Sequence, residues 1–459
     1  MSHHLAPAPA APGSSPGDGR PPADPGLARR RMYRRRRFVV FGTLAVMLAL
    51  LIAGVSYVAN ALGAPLPAVA ASSTAPAPLV QPAQQLALPG FGEYAVGAVG
   101  FEGTLAASEA QASMPIASIA KVVTALVVLE ANPVPAGEGG PAIAYTDADV
   151  GIYWDMVAQN GSVAPVAAGT TLTLTQSLEA MLLPSGNNYA ISIANWAFGS
   201  EAAYVEAANA WLAEHGFTET TIADASGLSL ANVGTPGDLV RLGQLALDEP
   251  TLEGIVAQQA VDLPGVGRVE NSNKLLGTHG VDGIKTGTTD DAANLLFSAD
   301  YAVGSSTVTV VGVMLGADTH AQLREAIAAL LDSVAPGFHE VSVLEAGTEL
   351  ASYSTVWGDA ASARTTEGAS VVVWNDTPVN VTVTAEPITT AEAGTRVGVA
   401  TVSAGAQTIE VPLELDATID DPGAWWRLTN PGGLSATQPA AGEPLTPSAA
   451  SAASAAIAR

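Results

Sequence analysis

The chain has 459 residues, room for two or three domains, and no cysteine, which excludes disulfides, thiolate metal sites and a cysteine nucleophile. Its net charge of −25 is unevenly placed: residues 1–37 carry +6 from eight Arg and two Asp, which leaves −31 on residues 38–459. A body this acidic does not bind nucleic acid or an anionic surface through general electrostatics, and the six histidines show no spacing that predicts a zinc site.

Residues 1–28 are rich in Pro, Ala and Gly and read as disordered, and 1–37 as a whole are expected to be a disordered basic cytoplasmic tail. The arginine run ending at Arg37 abuts residues 38–58, which hold no charge and are long enough to cross a bilayer as a helix. Segment 38–59 is therefore expected to be a single-pass signal-anchor, with the N-terminus cytoplasmic and everything after about residue 60 outside the cell membrane. The competing reading is a signal peptide cut near Ala70, which would release a secreted protein. Residues 60–90, rich in Pro and Ala, are expected to be a semi-extended linker.

Residues 94–99 and 101–105 read as a hairpin, followed by a helix opening near Ser118 and continuing through the apolar run 122–129. Residues 147–163 read as loops, 172–175 as extended, and 177–183 as a helix that stops at Pro184-Ser185-Gly186-Asn187-Asn188. Helices over 190–198 and 202–215 are closed by Gly199 and Gly216, where a left-handed cap favours glycine. A further helix over 238–247, strands over 293–302 and 306–315, and a helix over 322–334 complete residues 91–335. The pattern predicts an α/β domain of the α+β kind, in which an antiparallel sheet and a helical subdomain meet in a cleft. Beyond His339, alternating strands at 340–344, 370–374, 379–383 and 407–411 predict a small all-β domain over 339–430. Strand alternation would put one of Trp425 and Trp426 in its core. Residues 431–459 read as a disordered tail without an amphipathic membrane face.

Lysine usage singles out the chemistry. The chain has three lysines, Lys121, Lys274 and Lys285, against fifteen arginines. Lysine, unlike arginine, can be tuned to act as a base. Ser118 and Lys121 are three apart, so a helix starting near Ser118 stacks them one turn apart, where a neutral amine can take the hydroxyl proton. The positive end of the helix disfavours a second positive charge there. Ser-x-x-Lys is weak alone, since Ser118 could be a helix cap. It is followed in order by Ser185-Gly186-Asn187 and Lys285-Thr286-Gly287, each weak alone as a turn or a strand end.

Together the three match the motif set of penicillin-recognising serine acyltransferases. The flanking stretches Met114-Pro115-Ile116-Ala117, Met181-Leu182-Leu183-Pro184, Asp224-Ala225-Ser226-Gly227-Leu228, Asn271-Ser272-Asn273-Lys274 and Gly280-Val281-Asp282-Gly283-Ile284 resemble the low-molecular-mass penicillin-binding proteins of the D-alanyl-D-alanine carboxypeptidase family, over roughly residues 90–335. The resemblance implies a β-lactamase/transpeptidase-like fold, no cofactor and no metal. It implies that Ser118 attacks the bond between the two D-alanines of a peptidoglycan stem peptide, with Lys121 as base and Ser185 as proton relay. Asn187, Lys285, Thr286 and Gly287 would bind substrate, the backbone N–H groups of Ser118 and Thr288 would hold the oxyanion, and β-lactam antibiotics would acylate Ser118. The pattern departs at Asn188, often Asp in the family, and in the strand over 307–315, which lacks the family's frequent arginine. A D,D-endopeptidase of peptidoglycan cross-links and a non-hydrolytic β-lactam-binding scaffold or sensor remain open. A class A β-lactamase is disfavoured, because no Glu between Asn187 and Lys285 has Asn four residues on.

Overall fold

The structure, a computed structural model, describes residues 25–435, so the expected disorder of 1–24 and 436–459 lies outside the described residues. The chain divides into two compact units, one of residues 70–354 and 360–419, the other of residues up to 69, 355–359 and from 420 onward.

The smaller unit is built on α1 (Pro25–Gly63), whose Met32–Gly63 portion holds an 18-residue window of mean hydropathy 2.7 with none of that window buried, a helix long and apolar enough to cross a membrane. The helix takes in the arginine run, so residues 25–37 are not the disordered tail expected for 1–37; Pro25 opens the helix, and arginine is a good helix former. The same unit holds a short helix, Gly423–Thr429. Trp425 and Trp426 therefore stand on a helix rather than a strand, and neither is buried. The Asp-Pro-Gly stretch at 421–423 ends the extended chain before them.

The larger unit is organised by an antiparallel sheet of β1 (Glu93–Ala98), β2 (Ala106–Ala107), β3 (Val281–Thr288), β4 (Ala293–Val303) and β5 (Ser306–Ala317), in the order β3-β4-β5-β1-β2. Alternation along the strands divides two cores. Tyr94, Val96, Leu295, Phe297, Val310 and Met314 face α9 (His320–Val334), while Ala95, Leu296, Val311 and Val313 face the helical layer. That layer holds α2 (Ala120–Ala131), α3 (Asp147–Ala158), α4 (Leu174–Leu182), α5 (Asn187–Phe198), α6 (Glu201–Glu214), α7 (Pro236–Asp248) and α8 (Pro250–Val256). Residues 120–129 of α2 are all buried, which makes it the central helix of the subdomain.

Three local expectations change. Residues 147–158 form α3 rather than loop, because the Asp149 carboxylate accepts the Thr146 N–H at 2.7 Å and fixes the first turn. The hairpin's second strand is not 101–105 but the two-residue Ala106–Ala107, since Gly100 and Gly103 adopt positive φ and turn the chain before it. Residues 70–90 are not a free tether. Ser72 and Ser73 pair with Ser352 and Ala351, Leu79 exchanges two backbone bonds with Val379, and the Ala87 N–H donates to Ser333 Oγ.

Beyond α9 the chain forms β6 (Phe338–Leu344), β7 (Glu349–Ser354), β8 (Ala360–Thr365), β9 (Ala369–Trp374), β10 (Val379–Ala385), β11 (Arg396–Ala404) and β12 (Gln407–Leu415). Ser72–Ser73 edges a six-stranded sheet with β7, β8, β12, β11 and β10, and β6 pairs with β9. Strands β7, β8 and β11 escape the sequence reading because their Ala, Ser, Thr and Gly residues blur the apolar alternation.

Candidate active site

Ser118 lies in a single 3₁₀ turn, Ala117–Ile119, that runs directly into α2. The approach to it is clamped on both sides. The Asn294 side chain on β4 donates to Pro115 O at 3.0 Å and accepts from Gly316 N at 2.9 Å, while the Ile116 N–H donates to Asn232 O. Ala117 takes φ +50°, and Gly227 packs so closely that a Cβ there would stand 2.0 Å from Ala117 O. Gly287 on β3 meets the same turn: a Cβ on it would be 2.7 Å from Ile116 O. Glycine at 227 and 287 lets both segments press against the Ser118 turn.

Lys121 sits in the first turn of α2, fully buried. Its Nζ reaches Ser118 Oγ at 2.9 Å, Asn187 Oδ1 at 2.7 Å and Ser226 O at 2.5 Å. Two of these partners are carbonyl oxygens, which only accept. A neutral amine spends its two N–H bonds on them and keeps its lone pair for the Ser118 hydroxyl. The electrostatics favour that neutral form. Burial holds the Lys121 pKa well below the ordinary lysine range, the charge of Lys285 lowers it further, and Asp224 opposes.

Asp224 is the support beneath. Its carboxylate accepts N–H bonds from Ser226, Gly227 and Ser229 at 2.7 Å each, the Ser226 hydroxyl at 2.8 Å and Asn232 Nδ2 at 2.9 Å. Burial pushes its pKa up, but the bonds from Ser229, Ser226 and Asn232 outweigh that and hold it below the usual value. This cage fixes the turn that offers Ser226 O to Lys121. The motif Asp224-Ala225-Ser226-Gly227 is visible in the sequence, but its role depends on a backbone carbonyl, which no residue type announces.

Ser185 takes φ +65° between α4 and α5, and Asn187 opens α5. Asn188 uses both ends of its amide on one residue: Oδ1 accepts from Ala164 N and Nδ2 donates to Ala164 O, each at 3.0 Å. Asparagine at this position thus pins the segment before α4. The variant Asn188→Ala leaves that buried backbone pair without partners and is expected to cost about 1–3 kcal/mol, read as a lower midpoint in thermal or urea unfolding.

On β3, Lys285 is buried, with Nζ 3.2 Å from both Thr286 O and Thr286 Oγ1, and burial lowers its pKa to about 7. The Thr286 hydroxyl also pairs with Ser272 Oγ at 2.6 Å. Thr288 Oγ1 lies 2.8 Å from His320 Nε2 at the start of α9. Burial, then Arg324 and Lys285, lower the His320 pKa.

A cleft of about 650 Å³ brings together Ser118, Ser185, Asn187, Thr286 and Thr288. Lys121 and Lys285 do not line it; they are buried, Lys121 hydrogen-bonded to Ser118 and Lys285 to Thr286. Lys274, His320 and Arg324 do line it, and sequence reasoning gave them no role. The strand after Lys-Thr-Gly has no arginine, but Arg324 reaches the cleft from α9, one helical turn beyond His320. Only the packing of α9 on the sheet shows this.

Residues 101–319 match a family model described as D-alanyl-D-alanine carboxypeptidase. A D-alanyl-D-alanine endopeptidase of Haemophilus influenzae is 28% identical over 205 residues, 43% of this chain and 67% of that one. The D-alanyl-D-alanine carboxypeptidase DacC of Escherichia coli is 26% identical over 259 residues, 55% of this chain and 60% of its own length. The chain therefore spans about two thirds or less of these curated relatives. Penicillin binding protein 5 of Haemophilus influenzae shares the fold, with a TM-score of 0.51 at 19% identity over 73% of this chain and 98% of that one.

Proposed function

We propose that this chain, whose residues 101–319 belong to the D-alanyl-D-alanine carboxypeptidase family, removes the terminal D-alanine from peptidoglycan stem peptides through an acyl-enzyme on Ser118. The observation that carries the reading is the approach of Lys121 Nζ to Ser118 Oγ at 2.9 Å, in a buried site that favours the neutral amine. Lys121 takes the Ser118 proton as Oγ bonds to the carbonyl carbon between the two D-alanines. The oxyanion forms between the backbone N–H groups of Ser118 and Thr288, donors worth about 2.7–4 kcal/mol each in such sites. The C–N bond breaks, Ser185 relays a proton to the departing amine, and water then hydrolyses the ester. Asn187 and Gly287 align the substrate backbone. Thr286, backed by the charge of the buried Lys285 and with Arg324 at the cleft wall, receives the terminal carboxylate. A β-lactam presents the same carbonyl and carboxylate and acylates Ser118.

We read residues 91–335 as the catalytic domain and 339–430 as a β-rich accessory region. We read the apolar stretch of α1 as a membrane anchor with the N-terminus cytoplasmic; the charge-free length of 38–58, within the helix long and apolar enough to cross a membrane, supports a span.

Release of D-alanine from a peptide ending in D-Ala-D-Ala, together with a penicillin mass adduct on Ser118, tests the reading. The resemblance to an endopeptidase supports a second one. A cross-linked dimer cleaved faster than the linear peptide selects that reading, and an adduct with neither cleavage points to a sensor.

The pH dependence follows from the two lysines. Lys121 must be neutral, so kcat/KM falls as pH drops through its lowered pKa. Lys285 must be charged to hold a carboxylate, so kcat/KM also falls as pH rises above about 7. A bell-shaped profile is expected, and Lys285→Gln removes its alkaline limb.

A further inference from the structure

We propose that the Gly423–Thr429 helix and the 355–359 loop form a patch that lies in the outer headgroup layer of the bilayer, beside the end of α1; the inference rests on α1 being a membrane span. The charge-free stretch 38–58 of α1 is about 31 Å long at helical rise, the thickness of a bilayer's hydrocarbon core. Tyr57 stands at its outer end, and its hydroxyl donates to Leu428 O at 2.6 Å. Seven residues on, Ala64 O accepts from Arg427 Nη1 at 2.7 Å. These two bonds fix the short helix at the level where hydrocarbon gives way to headgroups.

What the helix carries suits that layer. Trp425 is 79% exposed, a large cost for an indole in water. Trp426 meets Trp357 of the 355–359 loop edge-on, ring centroids 5.8 Å apart, and Val356 beside it is also exposed. Three of the chain's seven tryptophans thus gather at the outer end of the span. Indole rings favour the membrane–water interface, where the ring meets acyl chains and the N–H stays hydrated. The patch does not recruit anionic lipid. Its one cation, Arg427, is held by Asp421 at 2.6 Å. The partner is therefore the interface of an ordinary zwitterionic bilayer, entered through aromatic and apolar groups.

Because the chain has no cysteine, single cysteines report depth directly. The full chain is reconstituted in phosphatidylcholine vesicles with a nitroxide on Val356→Cys, which leaves every tryptophan in place, on Trp425→Cys, or on Leu48→Cys in mid-span. Collisions with dissolved oxygen and with a water-soluble nickel chelate are compared. The expected result is full shielding of the Leu48 label from nickel and a shallow, partial shielding of the Val356 and Trp425 labels, unchanged when anionic lipid is added. Nickel access at 356 and 425 equal to that of the urea-unfolded chain, with Leu48 shielded, overturns the patch and leaves the span standing. Free nickel access at Leu48 overturns the span, and the patch with it.

Discussion

Replacing Ser118 by alanine is expected to abolish the penicillin adduct in intact-mass measurement and to cut D-alanine release by at least about 10⁴-fold, the scale seen when a serine hydrolase loses its nucleophile. The fold should not notice. The hydroxyl's bond is to Lys121, and Lys121 keeps its carbonyl partners Asn187 Oδ1 and Ser226 O. An unchanged melting temperature with no adduct assigns the loss to chemistry. A retained adduct would move the nucleophile elsewhere in the cleft and end the proposed mechanism.

Lys121→Arg is expected to slow acylation by about 10²–10⁴-fold, the usual worth of a positioned general base. The guanidinium stays protonated at every accessible pH, so it donates to Ser118 Oγ and never accepts from it. The exchange also buries a permanent charge where burial alone already pushes the amine toward neutrality. A loss of stability accompanies the loss of rate, read as a lower unfolding midpoint. The distinguishing measurement is the pH profile of penicillin acylation. In the parent chain the rate rises with pH as Lys121 deprotonates; in the arginine variant that limb is absent. An arginine variant that keeps the limb would assign the base to another group, such as His320 beside Thr288.

Much of the candidate site is legible in the sequence because its residue types are rare in this composition. A chain that writes nearly every positive charge as arginine keeps lysine at 121 and 285, and the three short motifs fall in order. The antiparallel sheet and most helices are legible because apolar periodicity is strong where one face is buried, as in α4, α7 and α9. The pattern fails where side chains are small, as in β7, β8 and β11, and where a cap rather than a periodicity starts the helix, as at Thr146 and Asp149.

By itself the sequence determined the candidate serine, its lysine partner, the motif residues around them and the apolar stretch of α1, because these depend on residue type and local spacing. Only the tertiary structure decided that Ser226 O and Asn187 Oδ1 hold the Lys121 amine, that Asp224 cages the turn behind it, and that His320 and Arg324 enter the cleft from α9. It also decided that residues 70–90 lie against the β-rich region and that Trp425 and Trp426 ride a helix bonded to the end of the apolar stretch of α1. Those features join residues far apart in the chain through backbone carbonyls and packed faces. A backbone carbonyl is the same at every position, so only its place in the fold gives it a role.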